Sequence, residues 1–587
     1  MAQPVPVPSM DALVGMDAKL AAIAKLEMLQ EEVDAAIARK KSNGFLRRSI
    51  KAWRRGDIVR AGQLALESTG IDDTNSKAYH VLGMALERMG HLHKALVTYQ
   101  RAFELDPEDP ELLINLGLIA WNMKQIEGAA RMFSLYIETC PDSPLGYNNL
   151  GSVLCDMGRP EDAIETLRSA IFRMPQEPIL WNALATVLAE EGRAEESLVF
   201  YNESVRLDPS FARLHHNLGY AYAHLGMLKE SLAEYESSLK HVKDPAERLE
   251  TEHSRAICLI GMGRLEEGFR EFEARNNRRF RAFVNHLIKA PQWQGEDLCG
   301  KRIAVIGEQG LGDEFMFANI LPDLARMVGD KGLLQIAVDQ RLVTLFQRSF
   351  PNAEVGAYDD RTLIDPDGNK PLRFVKFITD TQEPDYWVPM GSALQYLRKD
   401  IGDFPHEAFI LPDQGRVRKF RAALESKGPG PFVGICWRSM MLAAKRAKYY
   451  SALDMWEPIL KIPGATFVSL QYGDAAEEIA RVRENFGVEI HTLDVDLKDD
   501  IDGAAALSAA VDLVISAPTA AAANAGAVGS EVWFLTAGRT WPQLGTDEYP
   551  WYRKTHVYSP AKFGDWASLI PQVAGDLALF VQRKSRS

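Results

Sequence analysis

A chain of 587 residues is too long for a single hydrophobic core and predicts three or four compact units. Its composition, 46% hydrophobic and 25% charged, is that of an ordinary globular protein, and a formal charge of −13 argues against chain-wide affinity for nucleic acid or anionic lipid. Five scattered cysteines (Cys140, Cys155, Cys258, Cys299, Cys436) lack a C-x-x-C pair and give no zinc spacing, and no secretory leader or membrane-spanning apolar run is visible, so the expected location is cytoplasmic.

Residues 1–9 are proline-rich. From Met10 to about Lys40, Leu13, Met16, Leu20, Ile23, Leu26, Leu29, Val33 and Ile37 fall at steps of three and four, the stripe of a long helix. This N-terminal helical segment is assigned to 1–44. Two readings stand: the stripe packs on the element that follows, or it serves self-association or docking of a helical partner.

The next stretch repeats itself. "VLGMALERMG", "NLGLIAWNMK", "NLGSVLCDMG", "ALATVLAEEG" and "NLGYAYAHLG" place Gly83, Gly117, Gly151, Ala185 and Gly219 at successive intervals of 34, the tetratricopeptide period. Small residues (Ala95, Ala129, Ala163, Ser197, Ser231) recur where paired helices cross, and bulky ones (Tyr99, Phe133, Leu167, Tyr201, Tyr235) recur four residues later. Pro107, Pro141, Pro175 and Pro209 end the second helices, because proline cannot continue the hydrogen-bond ladder. With weaker copies at both ends, an α-solenoid is predicted over 45–280, with a surface suited to a client polypeptide. Asn115, Asn149 and Asn217 share one repeat position, where amides either hold a bound backbone or bridge adjacent turns.

After Arg281 the period changes. "RIAVIGE", "LLQIAVD" and "RFVKFIT", then "FVGICWR", "TFVSLQY", "VEIHTL", "DLVIS" and "EVWFLT" are short strand-like runs separated mostly by helical stretches. Such alternation predicts α/β structure with parallel sheets covered by helices. A break at "GPGPF" divides it into two doubly wound, Rossmann-like units, 281–428 and 429–587.

"GEQGLGDEF", residues 307–315, follows an apolar run and opens a helix, yet Gly307, Gly310 and Gly312 match neither the dinucleotide fingerprint nor a P-loop. What remains is a turn that sets Asp313 and Glu314 at a helix start, for general-base work or simple capping. In the second unit Arg438, Lys445, Arg446 and Lys448 follow a strand, where cations could stabilise a departing phosphate or form a solvated basic loop. "LVISAPTAAAANAGAVG" reads as a strand, a turn at Pro518 and a small-residue helix from Thr519, whose unbonded amides suit a phosphate.

"PQWQGEDLCGKRIAVIGEQGLGDEFMFANILPDLA" and these C-terminal stretches resemble the transferase half of bacterial tetratricopeptide glycosyltransferases related to the heptosyltransferases of lipopolysaccharide synthesis. The resemblance implies the two-unit GT-B architecture, an inverting transfer without metal, and Asp313 as general base toward the acceptor. It assigns Arg438, Lys448, Gln471, Thr519 and Ala520 to the nucleotide-sugar donor, and suggests Trp541, Trp551 and Tyr552 as walls of the sugar or base site. The acidic pairs "DPD" (365–367) and "DVD" (494–496) are discounted as metal ligands on the same ground. Two departures stand out: Pro518 and Ala523 replace polar residues of the family. Their loss disfavours a pyrophosphate-linked heptose and favours a donor with one phosphate, or lost catalysis.

The recurring asparagines resemble the ladder in protein O-linked N-acetylglucosamine transferases, which would imply a client-binding role and, as an alternative donor, a uridine-linked N-acetylhexosamine. The order of elements is similar to flagellin modification glycosyltransferases. That likeness implies flagellin held by the repeats and a nonulosonic acid such as pseudaminic acid passed from a cytidine monophosphate donor to Ser or Thr hydroxyls, with no further cofactor. The alternative expectation is a non-catalytic scaffold or escort with a degenerate transferase half.

Overall fold

The computed structural model describes residues 10–365, 368–380, 383–404, 406–440 and 444–586. The chain divides into two compact units, Met1–Arg159 with Ile364–Asn369, and Pro160–Leu363 with Lys370–Ser587.

The first unit is helical: Met10–Arg54, Ile58–Ile71, Ser76–Arg88, Leu92–Leu105, Pro110–Asn122, Ile126–Thr139 and Pro144–Asp156. Side chains of Asp57, Asn75 and Asp109 accept hydrogen bonds from first-turn amides, and Pro110 and Pro144 stand at helix starts where a missing N–H costs nothing. The 34-residue period has a direct physical basis. A Cβ on Gly83 would lie 2.6 Å from the Tyr99 ring, and one on Gly117 only 2.4 Å from Phe133. Glycine on one helix therefore leaves room for the aromatic ring of its partner, while Ala95 and Ala129 are wholly buried at the crossings.

The first helix runs unbroken to Arg54, so the boundary expected at 44 falls inside it. Its packing on Ile58–Ile71 begins at Ser42, whose hydroxyl donates to the Ser68 carbonyl, and continues through Ser49 to the Ala61 carbonyl. A 14-residue neighbour cannot cover a 45-residue helix. Ile23, Leu26, Leu29, Val33 and Ile37 consequently remain 49–66% exposed, which overturns the reading that this stripe packs on the following repeat. The side chains of Leu13, Met16 and Leu20 lie outside the described residues.

The second unit opens with seven more helices, Pro160–Arg173, Pro178–Glu190, Ala194–Leu207, Ala212–His224, Leu228–His241, Pro245–Gly261 and Leu265–Glu271. The same contact recurs there: a Cβ on Gly219 would lie 2.9 Å from Tyr235. Two parallel sheets follow. The first has the order β4-β3-β2-β7, with β2 Arg302–Ile306, β3 Leu333–Val338, β4 Glu354–Ala357 and β7 Tyr386–Pro389. The second has the order β10-β9-β8-β11-β12-β13, with β8 Phe432–Cys436, β9 Thr466–Ser469, β10 Ile490–His491, β11 Leu513–Ser516, β12 Val532–Leu535 and β13 Thr555–Tyr558. A small separate sheet joins β1 Asn285–His286, β6 Gly368–Phe374 and β5 Asp359–Asp365 in that order.

The central strands are buried on both faces, which is why they read as continuous apolar runs. "RFVKFIT" was expected as one strand, but it straddles the end of β6 and the helix Lys376–Asp380. The helix Gln414–Glu425 joins the second sheet's layer: its Arg416 pairs with Asp500 and its Arg421 with Asp512, so the chain changes sheets before the Gly428 break.

Candidate functional site

The glycine turn is built by the residues around it. Gly307 follows β2 because a Cβ there would lie 2.6 Å from Oε2 of Glu314. The Glu314 carboxyl is fully buried, accepts the Tyr358 hydroxyl at 2.5 Å and the Asp339 amide at 3.1 Å, and is pushed up to about 7 by loss of solvation. Glu308 turns the other way. It accepts two guanidinium N–H groups of buried Arg275, at 2.7 and 3.2 Å, and the Gly391 amide at 2.6 Å. Arg275 belongs to the short turn Phe272–Asn276 just beyond the last repeat helix, so this ion pair fastens the repeats to the glycine turn.

Gly310 then starts the helix Leu311–Phe317, and Asp313 accepts the Gly310 amide at 3.3 Å. Asp313 is half-buried. Desolvation raises its carboxyl to about 6, the Gly310 hydrogen bond opposes the shift and the charge of Glu308 adds to it. A carboxylate with that affinity is ionised at neutral pH yet basic enough to take a proton.

Facing this turn is the helix Ala520–Ala527, which follows β11 with Thr519 as its extended N-cap residue. A Cβ on Gly312 would lie 3.6 Å from the Ala520 Cα, so glycine on one element and alanine on the other bring two helix starts into contact. Beside the contact lies a cavity of about 250 Å³ whose walls include Leu311, Phe315, Arg341, Met440, Tyr472 and Ala520. Leu311 and Phe315 share one face of their helix, whereas Asp313, two residues from each, stands on roughly the opposite face at about 100° per residue. The Gly312–Ala520 contact thus separates the cavity from the carboxylate.

Of the residues expected to hold a donor, Ala520 alone is part of this wall. Gln471 is buried beneath it: its oxygen accepts the Trp437 and Arg438 amides, both at 3.1 Å, and its nitrogen donates to the Arg438 and Tyr472 carbonyls, shaping the loop whose Ser439 and Met440 line the cavity. Arg438 is paired with Glu478, Nε lying 3.0 Å from both carboxylate oxygens. Thr519 directs its hydroxyl toward Cys436 and Ser516. Lys448 is engaged elsewhere: Nζ donates to the Ala189 and Glu190 carbonyls, at 3.2 and 2.8 Å, at the end of the repeat helix Pro178–Glu190. The neighbouring Tyr449 hydroxyl meets His224 Nε2 at 2.6 Å. Sequence gave no sign of this docking, since a lysine's partner on a distant helix leaves no local pattern.

Trp551 is fully buried among Phe269, Phe317, Phe404 and Trp541, and Tyr552 fills the space left by Gly526, so both pack a core rather than wall an open site. Trp541 lines a second cavity, of about 370 Å³, with Tyr220, His224, His253 and Tyr449. Asp496 caps its own turn through the Lys498 and Asp499 amides; Asp367 lies outside the described residues. The asparagines are engaged one by one. Asn115 bonds His80 at 2.8 Å, Asn149 accepts from Asn148 at 3.2 Å, and Asn217 donates to Asn182 at 3.1 Å. Asn115 and Asn217 therefore bridge neighbouring repeats.

Among the described residues no helix is long and apolar enough to cross a membrane. Tetratricopeptide-repeat family models match residues 76–119 and 185–226. Protein FlbA of Caulobacter vibrioides is 39% identical over 537 residues, covering 91% of this chain and 89% of its own. Among solved structures, a tetratricopeptide repeat protein from Parabacteroides merdae aligns with 40% of this chain and 91% of its own at 15% identity, TM-score 0.36. One from Thermus thermophilus aligns with 30% and 98% at 22% identity, TM-score 0.27.

Proposed function

This chain belongs to the family of Protein FlbA, and from that premise we propose that its repeats hold a client protein, flagellin by the resemblance of its architecture, while its α/β half, a GT-B transferase, glycosylates that client in the cytoplasm. The repeats are a protein-interaction module. The transfer reading rests on one observation above all: the helix start that carries the raised Asp313 carboxylate meets, through Gly312 and Ala520, a second helix start whose first amides are free of intrahelical partners.

In the proposed step a client Ser or Thr hydroxyl attacks the anomeric carbon of a nucleotide-linked sugar. Asp313 takes the hydroxyl proton, the new C–O bond forms as the bond to the donor phosphate breaks, and the phosphate leaves with the electron pair. Configuration inverts. The amides following Thr519 receive the developing negative charge. A donor with a single phosphate, such as a cytidine monophosphate nonulosonic acid, suits a site with Pro518 and Ala523, because less charge needs polar contact. No further cofactor is required.

The engagement of Arg438 by Glu478 and of Lys448 by the repeat helix favours one second reading, a client-binding scaffold without turnover. Purified protein, flagellin and nucleotide sugars distinguish the two. Intact mass of the client rises by one sugar residue with the enzyme and stays constant with Asp313→Asn; client binding without mass change for any donor establishes the scaffold.

A further inference from the structure

The first helix carries an apolar band that its own chain does not cover. From Lys19 to Lys41 no described side chain is buried, a stretch of about 34 Å at 1.5 Å per residue. A helix held only at one end is marginal in water, because most helical stability comes from packing an apolar face. Leu26 and Val33 run along the middle of the band, with Ala22, Leu29 and Ala36 on one flank and Ile23 and Ile37 on the other. Lys25, Glu32 and Arg39 border the first flank; Glu27, Asp34 and Lys41 border the second.

These borders indicate what covers the band. In a parallel pair of such helices opposite borders meet. Lys25 would then gain Glu27 of the other copy, but Glu32 would face Asp34 and Arg39 would face Lys41, two like-charge contacts for each attractive one. In an antiparallel pair each border meets itself. With a two-fold axis between residues 28 and 29, Lys25 of each copy meets Glu32 of the other and Leu26 meets Leu29, every contact made twice by symmetry. Glu27 against its own copy is the one opposing contact. Moving the axis half a heptad either way sets Lys25 against Lys25 or against Arg39. Moving it a full heptad toward the repeats drives the pair into Ser42 and Leu46, which are already buried against the solenoid.

We propose that this face binds a second copy of the chain, as an antiparallel helix pair over residues 19–41 that covers Ile23, Leu26, Leu29, Val33 and Ile37 of both copies. The axis lies about 20 Å along the helix from Ser42, where packing on the second helix begins, so the pairing surface is clear of that contact. The proposal stands apart from the transfer reading and holds with or without turnover.

Sedimentation of the full-length protein tests it, for the wild type and for variants at Lys25, Leu29 and Glu32, all exposed positions whose replacement leaves the repeats packed. The wild type has twice the mass of one chain at micromolar concentration, and Leu29→Glu is monomeric there. Lys25→Glu and Glu32→Lys each turn two attractive contacts into repulsive ones and raise the dissociation constant about tenfold; combined in one chain they restore it to within about twofold. A dimer that survives Leu29→Glu places the interface elsewhere and overturns the proposal. A dimer unmoved by the charge substitutions, or tightened by Glu32→Lys as a parallel pair would be, overturns the antiparallel register. A monomeric wild type overturns the second copy as occupant; loss of flagellin binding in Leu29→Glu would then give the face to the client.

Discussion

Breaking the Arg275–Glu308 pair tests whether the glycine turn is held in place from the repeats. Both side chains are more than nine-tenths buried. Arg275→Met leaves Glu308 buried with only the Gly391 amide, an uncompensated charge that costs about 5 kcal/mol, the upper end for such a loss. Glu308→Leu is milder, about 3 kcal/mol, because Arg275 retains Glu273 at 2.9 Å and the Phe272 carbonyl at 2.9 Å. With both replaced, the charges are gone and apolar groups of similar volume fill the space, at a cost of about 1–2 kcal/mol. The cycle therefore carries a coupling energy of roughly 6 kcal/mol in favour of the pair. Because a chain of several units need not unfold in one step, the readout is native-state hydrogen exchange at the β2 and β7 amides, which reports local opening free energies. A double variant as destabilised as the two singles added together would refute the reasoning.

The transfer rate, if Asp313 is the base, rises about tenfold per pH unit up to about 6 and then levels off; a limb centred near 4 would mean a solvated carboxylate. The same shift has a stability consequence. The folded state favours protonated Asp313, so its contribution is full below pH 3.8 and is lost as pH rises through about 6; Asp313→Asn removes that slope in pH-dependent melting. Lys124→Gly is expected to stabilise the first unit by about 0.5–1 kcal/mol, since Lys124 holds φ +62° where the equivalent turns use Gly90 and Gly158; an unchanged or lower melting temperature would contradict this. Lys448→Met should lose its bonds to the Ala189 and Glu190 carbonyls and weaken the docking of repeat helix on sheet layer by about 1 kcal/mol, read as faster exchange of amides around Ala447–Tyr450.

The repeats were legible because each buries the same contact at the same interval, so Gly83 with Tyr99 and Gly117 with Phe133 announce themselves in one dimension. The central strands β2, β8 and β11 were legible as apolar runs for the same reason that they are buried on both faces. Strands β4, "EVGA", and β7, "YWVP", hold a single β-branched residue each, and only register against β3 and β2 makes them strands. In the site, the helix starts at Asp313 and Thr519 could be read from local turn chemistry. The pairing of Glu308 with Arg275 and the burial of Glu314 against Tyr358 could not, because each depends on residues brought near by the fold from tens of positions away.

The stretch following β8 touches two different worlds. At Ser439 and Met440 it forms part of the wall beside Ala520; at Lys448 and Tyr449 it grips the ends of two repeat helices. On the proposed reading, a client that displaced those helices on arrival would disturb residues a few positions along the chain from the pocket wall, and any change this made in the affinity for a nucleotide sugar would be returned in equal measure to the client.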